Sequence, residues 1–134
     1  MRRMKLKYII YLLSLIFLIS CTEGIIKTES ITRPVHVYSV DIPESINLGQ
    51  SINFKMACQT PDPCHEFSHL EIRDTVFEVW IKVYTKRDPK VICICTLGSI
   101  EKSGQFRPYF RGSYQFHFWQ EYYSKYLDKT VEVK

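Results

Sequence analysis

Residues 68–85, SHLEIRDTVFEVWIKVYT, decide the fold. Leu70 and Ile72 alternate with His69, Glu71 and Arg73, and then Phe77, Val79, Ile81 and Val83 alternate with Glu78, Trp80, Lys82 and Tyr84. Successive side chains of an extended chain point to opposite faces, so a period of two predicts strands with one apolar and one polar face. Asp74-Thr75 breaks the pattern, and the two strands are expected to form a hairpin.

The same period extends in both directions. SINFKMACQ, residues 51–59, sets Ile52, Phe54, Met56 and Cys58 against Ser51, Asn53, Lys55 and Ala57, and HVYSVDIP, residues 36–43, continues a face begun by Val35, with Val37 and Ser39. Toward the C-terminus, KRDPK (86–90) reads as a turn, VICICT (91–96) as a further strand and GQFRPYF (104–110) as a weaker one that Pro108 confines to an edge. GSYQFHFW (112–119), with Tyr114, Phe116 and Phe118 on one core face, and DKTVEVK (128–134) complete the set. Only QEYYSKYL, residues 120–127, could make one or two helical turns. Seven or eight short strands separated by turns predict an all-β protein, an antiparallel immunoglobulin-like sandwich. At 134 residues the chain has room for one such domain, taken as residues 36–134.

The first 20 residues follow another logic. MRRMKLK carries Arg2, Arg3, Lys5 and Lys7 without an acid, and YIIYLLSLIFLI follows as twelve nearly apolar residues, 8–19. As a helix these would rise roughly 18 Å, short of a hydrocarbon core of about 30 Å, so they read as a signal peptide, not a permanent span. Removing those four cations from the chain's 18 Lys and Arg leaves 14, balanced by 14 Asp and Glu. With no net charge left and no basic cluster interleaved with aromatics, a nucleic-acid partner is not expected.

Leu18-Ile19-Ser20-Cys21 resembles the lipobox of bacterial lipoproteins. The resemblance implies that Cys21 receives a diacylglyceryl group, that cleavage removes residues 1–20, and that the new amino terminus is commonly fatty-acylated. Several acyl chains hold a protein on a bilayer effectively for good, whereas one does so only marginally. Residues 21–35, with Gly, Thr, Ser and Pro and no period, then read as the lipidated cysteine and its tether. Thr22, rather than Asp, after the cysteine is what the same resemblance associates with the outer membrane in a host with two. The domain's order of features is also similar to a group of small bacterial lipoproteins of unknown function: Gly49 before SINF, Cys64-His65-Glu66-Phe67, Cys93 or Cys95 mid-domain, and Gly112-Ser113-Tyr114-Gln115-Phe116. That similarity covers residues 40–134 and implies a fold but no activity.

Cys58, Cys64, Cys93 and Cys95 remain, and export makes oxidation the expected fate. With Cys93 and Cys95 on one strand face and Pro61 and Pro63 shaping the Cys58–Cys64 loop, two bridges are expected, Cys64 to Cys95 and Cys58 to Cys93. The alternative is a metal or small ligand held by the Cys/His cluster of residues 58–69 and 93–95, with Cys58, Cys64, His65 and His69 as the candidate metal ligands, although their spacing matches no zinc-finger pattern. Ser68 beside His69 and Glu66 is a sequence adjacency of strand neighbours, so no catalytic residues are assigned, and neither an enzyme nor a cofactor is expected. A surface role is suggested instead by Trp119, Tyr122, Tyr123 and Tyr126, amphipathic rings in a polar setting that suit a protein or glycan partner. Gly112-Ser113-Tyr114 resembles a tyrosine corner. The sequence therefore predicts a non-enzymatic, lipid-anchored envelope module.

Overall fold

The computed structural model describes residues 29–121 and 125–134. The signal segment, Cys21, the start of the tether, Tyr122 and Tyr123 lie outside the described residues. Eight strands follow in order: β1 (Ile31–Asp41), β2 (Ser45–Ile46), β3 (Ile52–Thr60), β4 (Glu66–Asp74), β5 (Glu78–Arg87), β6 (Gly98–Phe106), β7 (Gly112–Trp119) and β8 (Tyr126–Val133). They form one sheet in the order β2-β8-β7-β5-β1-β3-β6, with β4 on β5, and the sheet curls into a half-barrel.

The curl has an identifiable origin in β1. Its first half pairs with β5, from Ile31 opposite Arg87 to Val35 opposite Val83. Its second half pairs with β3, and the register slips between Val37 and Ser39. An extra residue in one strand bends the ladder and increases its twist. Past the bulge Ser39 no longer shares the apolar face and is exposed. The β4–β5 hairpin forms as expected about Asp74 and Thr75, with Ile72 opposite Ile81.

Not every pairing is antiparallel. β5 runs parallel to β7, with Val79 opposite Phe116, and β2 runs parallel to β8. The chain leaves β5, lays β6 along the far edge of β3 with Thr60 opposite Gly98, and only then returns with β7, so β7 arrives in the same sense as β5. A crossover of this length permits parallel pairing where a tight hairpin does not.

The concave face holds the core. Ile52, Phe54, Met56 and Cys58 of β3, Val79, Ile81 and Val83 of β5, and Tyr114, Phe116 and Phe118 of β7 are all buried there, as their alternation predicts. The β3–β6 limb folds over β7. Phe54 meets Phe118 edge-on at 5.6 Å, and Phe106 meets Phe116 edge-on at 5.7 Å. Beyond them the β4 and β6 edges approach through side chains, Lys102 lying 4.8 Å from the centre of the Phe67 ring. Gly104 permits this closeness, because a Cβ there would collide with the Phe54 ring and meet Leu70 at 3.1 Å.

Several expectations need correction. Residues 91–96 form a loop rather than a strand. Val91, Ile92, Cys93 and Ile94 carry no alternation, and the neighbouring ladder on β3 is occupied only from Gly98 onward. β6 absorbs residues 104–106 and ends before Pro108. Tyr126 and Leu127 are strand residues, so a helix does not include them, whereas residues 122–124 lie outside the described ones. β1 begins at Ile31, so residues 31–35 are strand and not tether. Phe77 is exposed instead of sharing the core face of Val79. It covers Gly112, where a Cβ would come within 2.8 Å of its ring and φ is +142°.

Candidate functional site

The alternation that buries Val79, Ile81 and Val83 points Trp80, Lys82 and Tyr84 outward, and the ladders place other outward residues beside them. Arg73 faces Trp80 across β4 and β5, Trp80 faces His117 across β5 and β7, and His117 faces Asp128 across β7 and β8. The result is a row of rings on the convex face. Trp80 and His117 stack at 5.3 Å, and Tyr126 stands edge-on to His117 at 6.0 Å. Farther along, His69 lies flat on Tyr84 at 4.5 Å, the planes only 6° apart.

Polar groups lock the rings in place. His117 Nδ1 donates to Asp128 Oδ1 at 2.8 Å, which fixes the ring plane that Trp80 stacks on. The Tyr84 hydroxyl donates to Glu71 Oε2 at 3.0 Å, and Arg73 bonds the other oxygen of that carboxylate. The Tyr84 hydrogen bond, then Arg73 and the charge of Lys82, hold the Glu71 carboxyl below its ordinary range against partial desolvation. The same bond raises the Tyr84 phenol. Between these groups lies a depression of about 400 Å³ lined by Glu71, Arg73, Trp80, Lys82 and Tyr126. Flat rings beside fixed donors and acceptors can bind a partner that offers both an apolar surface and polar groups.

Of the rings singled out in the sequence, Trp119 and Tyr126 pair directly as the ends of β7 and β8. Tyr122 and Tyr123 lie outside the described residues. Trp80, Tyr84, His117 and His69 were not singled out as a surface. Their signal was present as the polar half of each alternation, but nothing local says that three strands place those halves side by side.

A second cluster closes one end of the half-barrel. Asp62 accepts from the Cys64 N–H at 2.9 Å and from His65 Nδ1 at 3.0 Å, and its other oxygen lies 3.3 Å from Arg87. Beside it Cys64 and Cys93 are joined, their Cα atoms 6.0 Å apart. This corrects the two-bridge expectation. Cys58 belongs to the buried face of β3 and is free, and Cys95 is free and exposed. Because residues 91–96 are not a strand, Cys93 and Cys95 need not share a face. Burial pushes the Cys58 thiol up to about 12, so it stays neutral and unreactive.

Cys58, Cys64, His65 and His69 are not brought to one point: Cys58 lies in the core, Cys64 is bridged, and exposed His69 stacks on Tyr84. Among the described residues only Asp62, Cys64 and Cys93 come close enough to share an ion, and their two sulfurs are bonded to each other. Ser68 Oγ does reach His69 Nδ1, at 3.1 Å, because the ladder slips between Phe67 and His69 and cancels the strict alternation of neighbours. No family model, curated protein or solved structure matches this chain.

Asp62 links this cluster to pH. Partial desolvation raises its carboxyl, but the Cys64 N–H, the His65 ring and the Arg87 charge together outweigh it and leave the value below the ordinary one. A depressed folded value favours the folded state above the ordinary carboxyl range of about 3.9 and loses that contribution as pH falls through the folded value. Thermal unfolding between pH 7 and 2 should therefore show a smaller acid-induced drop in Tm for Asp62→Asn than for the parent. An equal drop in both would remove Asp62 from the linkage.

Proposed function

We propose that this chain is a lipid-anchored protein of the bacterial cell envelope, a non-enzymatic interaction module whose immunoglobulin-like sandwich presents the convex ring face of β4, β5, β7 and β8 to a protein or glycan. The observation that carries the binding role is the Trp80–His117–Tyr126 row, ordered by Asp128 and flanked by Glu71, Arg73 and Lys82. The anchor rests on the basic segment MRRMKLK, the apolar segment YIIYLLSLIFLI and Leu18-Ile19-Ser20-Cys21 following one another directly. The immunoglobulin-like reading draws support from the tilted and edge-on ring contacts that pack β3 and β6 over β7. It draws more from Tyr114, whose hydroxyl donates to the Phe110 carbonyl at 3.1 Å and accepts its N–H at 3.2 Å, as in a tyrosine corner.

Two measurements test the reading. Metabolic labelling with a fatty acid should mark the wild-type chain and not Cys21→Ala; equal labelling of the two refutes the anchor. A photo-crosslinking residue at position 80 or 126 in intact cells should form an adduct that the same residue at exposed Lys55 on β3 does not. Sensitivity of the adduct to protease or to glycan hydrolases then identifies the partner class. Absence of an adduct at both positions, or equal adducts at all three, refutes the ring face as the binding surface.

A further inference from the structure

The loop from Val91 to Leu97 gathers four of the exposed large apolar residues into seven positions. Ile92 is 99% exposed, Ile94 69%, Leu97 65% and Val91 46%. Single exposed aliphatic residues are ordinary, but four within one short loop form a patch of the kind that marks an interaction site. The loop is also held in place. Cys93 is bonded to Cys64, the Val91 carbonyl accepts from Arg87 Nη2 at 3.2 Å, and the Val91 and Thr96 N–H groups donate to the Asp88 and Ile94 carbonyls.

The place of the loop relates it to the N-terminal segment. Arg87, which grips Val91, is the strand partner of Ile31, the first residue of β1. Ser30 lines the same depression as Cys64 and Val91, so the N-terminal segment joins the domain at this end. From Cys21 to Ser30 the chain spans nine residues, a reach of at most about 30 Å at ~3.3–3.6 Å per residue. Acyl chains on Cys21 would keep this end of the domain within that distance of the bilayer. The charges around the loop are mixed, with Lys86, Asp88 and Glu66 all lining the depression, so apolar burial rather than headgroup charge would hold it.

We propose that the Val91–Leu97 loop is a membrane-docking surface, its aliphatic side chains entering the bilayer that carries the chain's own lipid. The proposal rests on the lipid-anchor reading, and it adds an orientation to it. β5 runs from Glu78 to Arg87, so with Arg87 at the membrane Trp80 stands roughly 23 Å farther along the strand at ~3.3 Å per residue. With β5 upright on the membrane, the Trp80–His117–Tyr126 row is thereby lifted clear of the lipid.

The native thiol of Cys95 lies within the loop and provides the probe. The full-length lipidated protein is labelled there with a polarity-sensitive bimane, Cys58 being buried and Cys64 and Cys93 bridged. It is then reconstituted into phosphatidylcholine vesicles with and without brominated acyl chains. The Cys95 dye should shift to the blue, lose intensity to brominated lipid and be shielded from aqueous iodide. The same dye at Val76→Cys in a Cys95→Ser chain, on the exposed β4–β5 turn, should remain in water. Ile92→Asp with Ile94→Asp should return the Cys95 dye to water while acylation persists.

A dye on acylated, vesicle-bound protein that iodide reaches and brominated lipid does not overturns the docking and leaves the anchor standing. Shielding from both quenchers means that a second copy or another protein segment covers the loop, and also overturns it. If mass spectrometry finds no acyl group, the anchor reading falls and the dye decides the docking alone: quenching by brominated lipid upholds it, and an aqueous dye ends both.

Discussion

Phe116→Ala is expected to destabilise the domain by about 3–5 kcal/mol, the range for removing a fully buried phenylalanine. Phe116 has no exposed surface. Its ring meets Phe106 edge-on at 5.7 Å, Phe54 at 6.2 Å and Phe118 at 6.2 Å. Such pairs contribute roughly 0.5–1.5 kcal/mol each beyond area burial. Phe54 and Phe106 belong to the limb that folds over β7, so the ring ties the two halves of the curled sheet together. The main-chain neighbours of Phe116 are Val79 on β5 and Lys129 on β8, and these ladders restrict how far the site can collapse to fill the space. Small domains carry about 5–15 kcal/mol in total, so the loss would leave the fold marginal. Urea unfolding followed by circular dichroism measures it, with exposed Tyr38→Ala as a control expected within about 0.5 kcal/mol. A loss below roughly 1.5 kcal/mol for Phe116→Ala would show that the limbs do not meet through this ring.

Loss of the Cys64–Cys93 bridge should cost nearly as much. The two residues are 29 apart in sequence, and closing a loop of that length in the unfolded chain corresponds to about 3.5 kcal/mol in the chain-entropy model. The effect should appear alike on reduction, in Cys64→Ala and in Cys93→Ala. Cys95→Ala should leave stability unchanged, because Cys95 is exposed and unbridged. Cys58→Ala should act through the core and not through a bridge, so its cost should persist under reducing conditions. Reduction should also free the aliphatic loop and loosen the Asp62–His65–Arg87 cluster beside it. Peptide mapping without reduction should find one bridged pair, with Cys95 alkylated in the native protein and Cys58 only after unfolding. A Cys64–Cys95 peptide, or four alkylatable thiols at these positions, would refute the assignment.

The sequence by itself determined the strands β3, β5 and β7 and which of their faces are apolar. Ile52 to Cys58, Val79 to Val83 and Tyr114 to Phe118 are buried on the face their alternation marks, because the period of an extended chain is a local property. The β4–β5 hairpin was legible for the same reason, since its turn and both strands are contiguous. Only the tertiary structure decided which strands became neighbours. The parallel pairing of β5 with β7 and the passage of β1 from β5 to β3 at the Val37–Ser39 slip depend on contacts between distant residues. The partner of Cys64, expected to be Cys95 and found to be Cys93, was misassigned for a related reason: loop-closure entropy grows only slowly with length, so spacing barely separates Cys93 from Cys95. What separated them was the course of residues 91–97, apolar without alternation and therefore without a face to bury. The ring surface was hidden similarly. Trp80, His117 and Tyr126 each read as the polar-side residue of its own strand, and they become one surface only because the ladders of β5, β7 and β8 set them side by side.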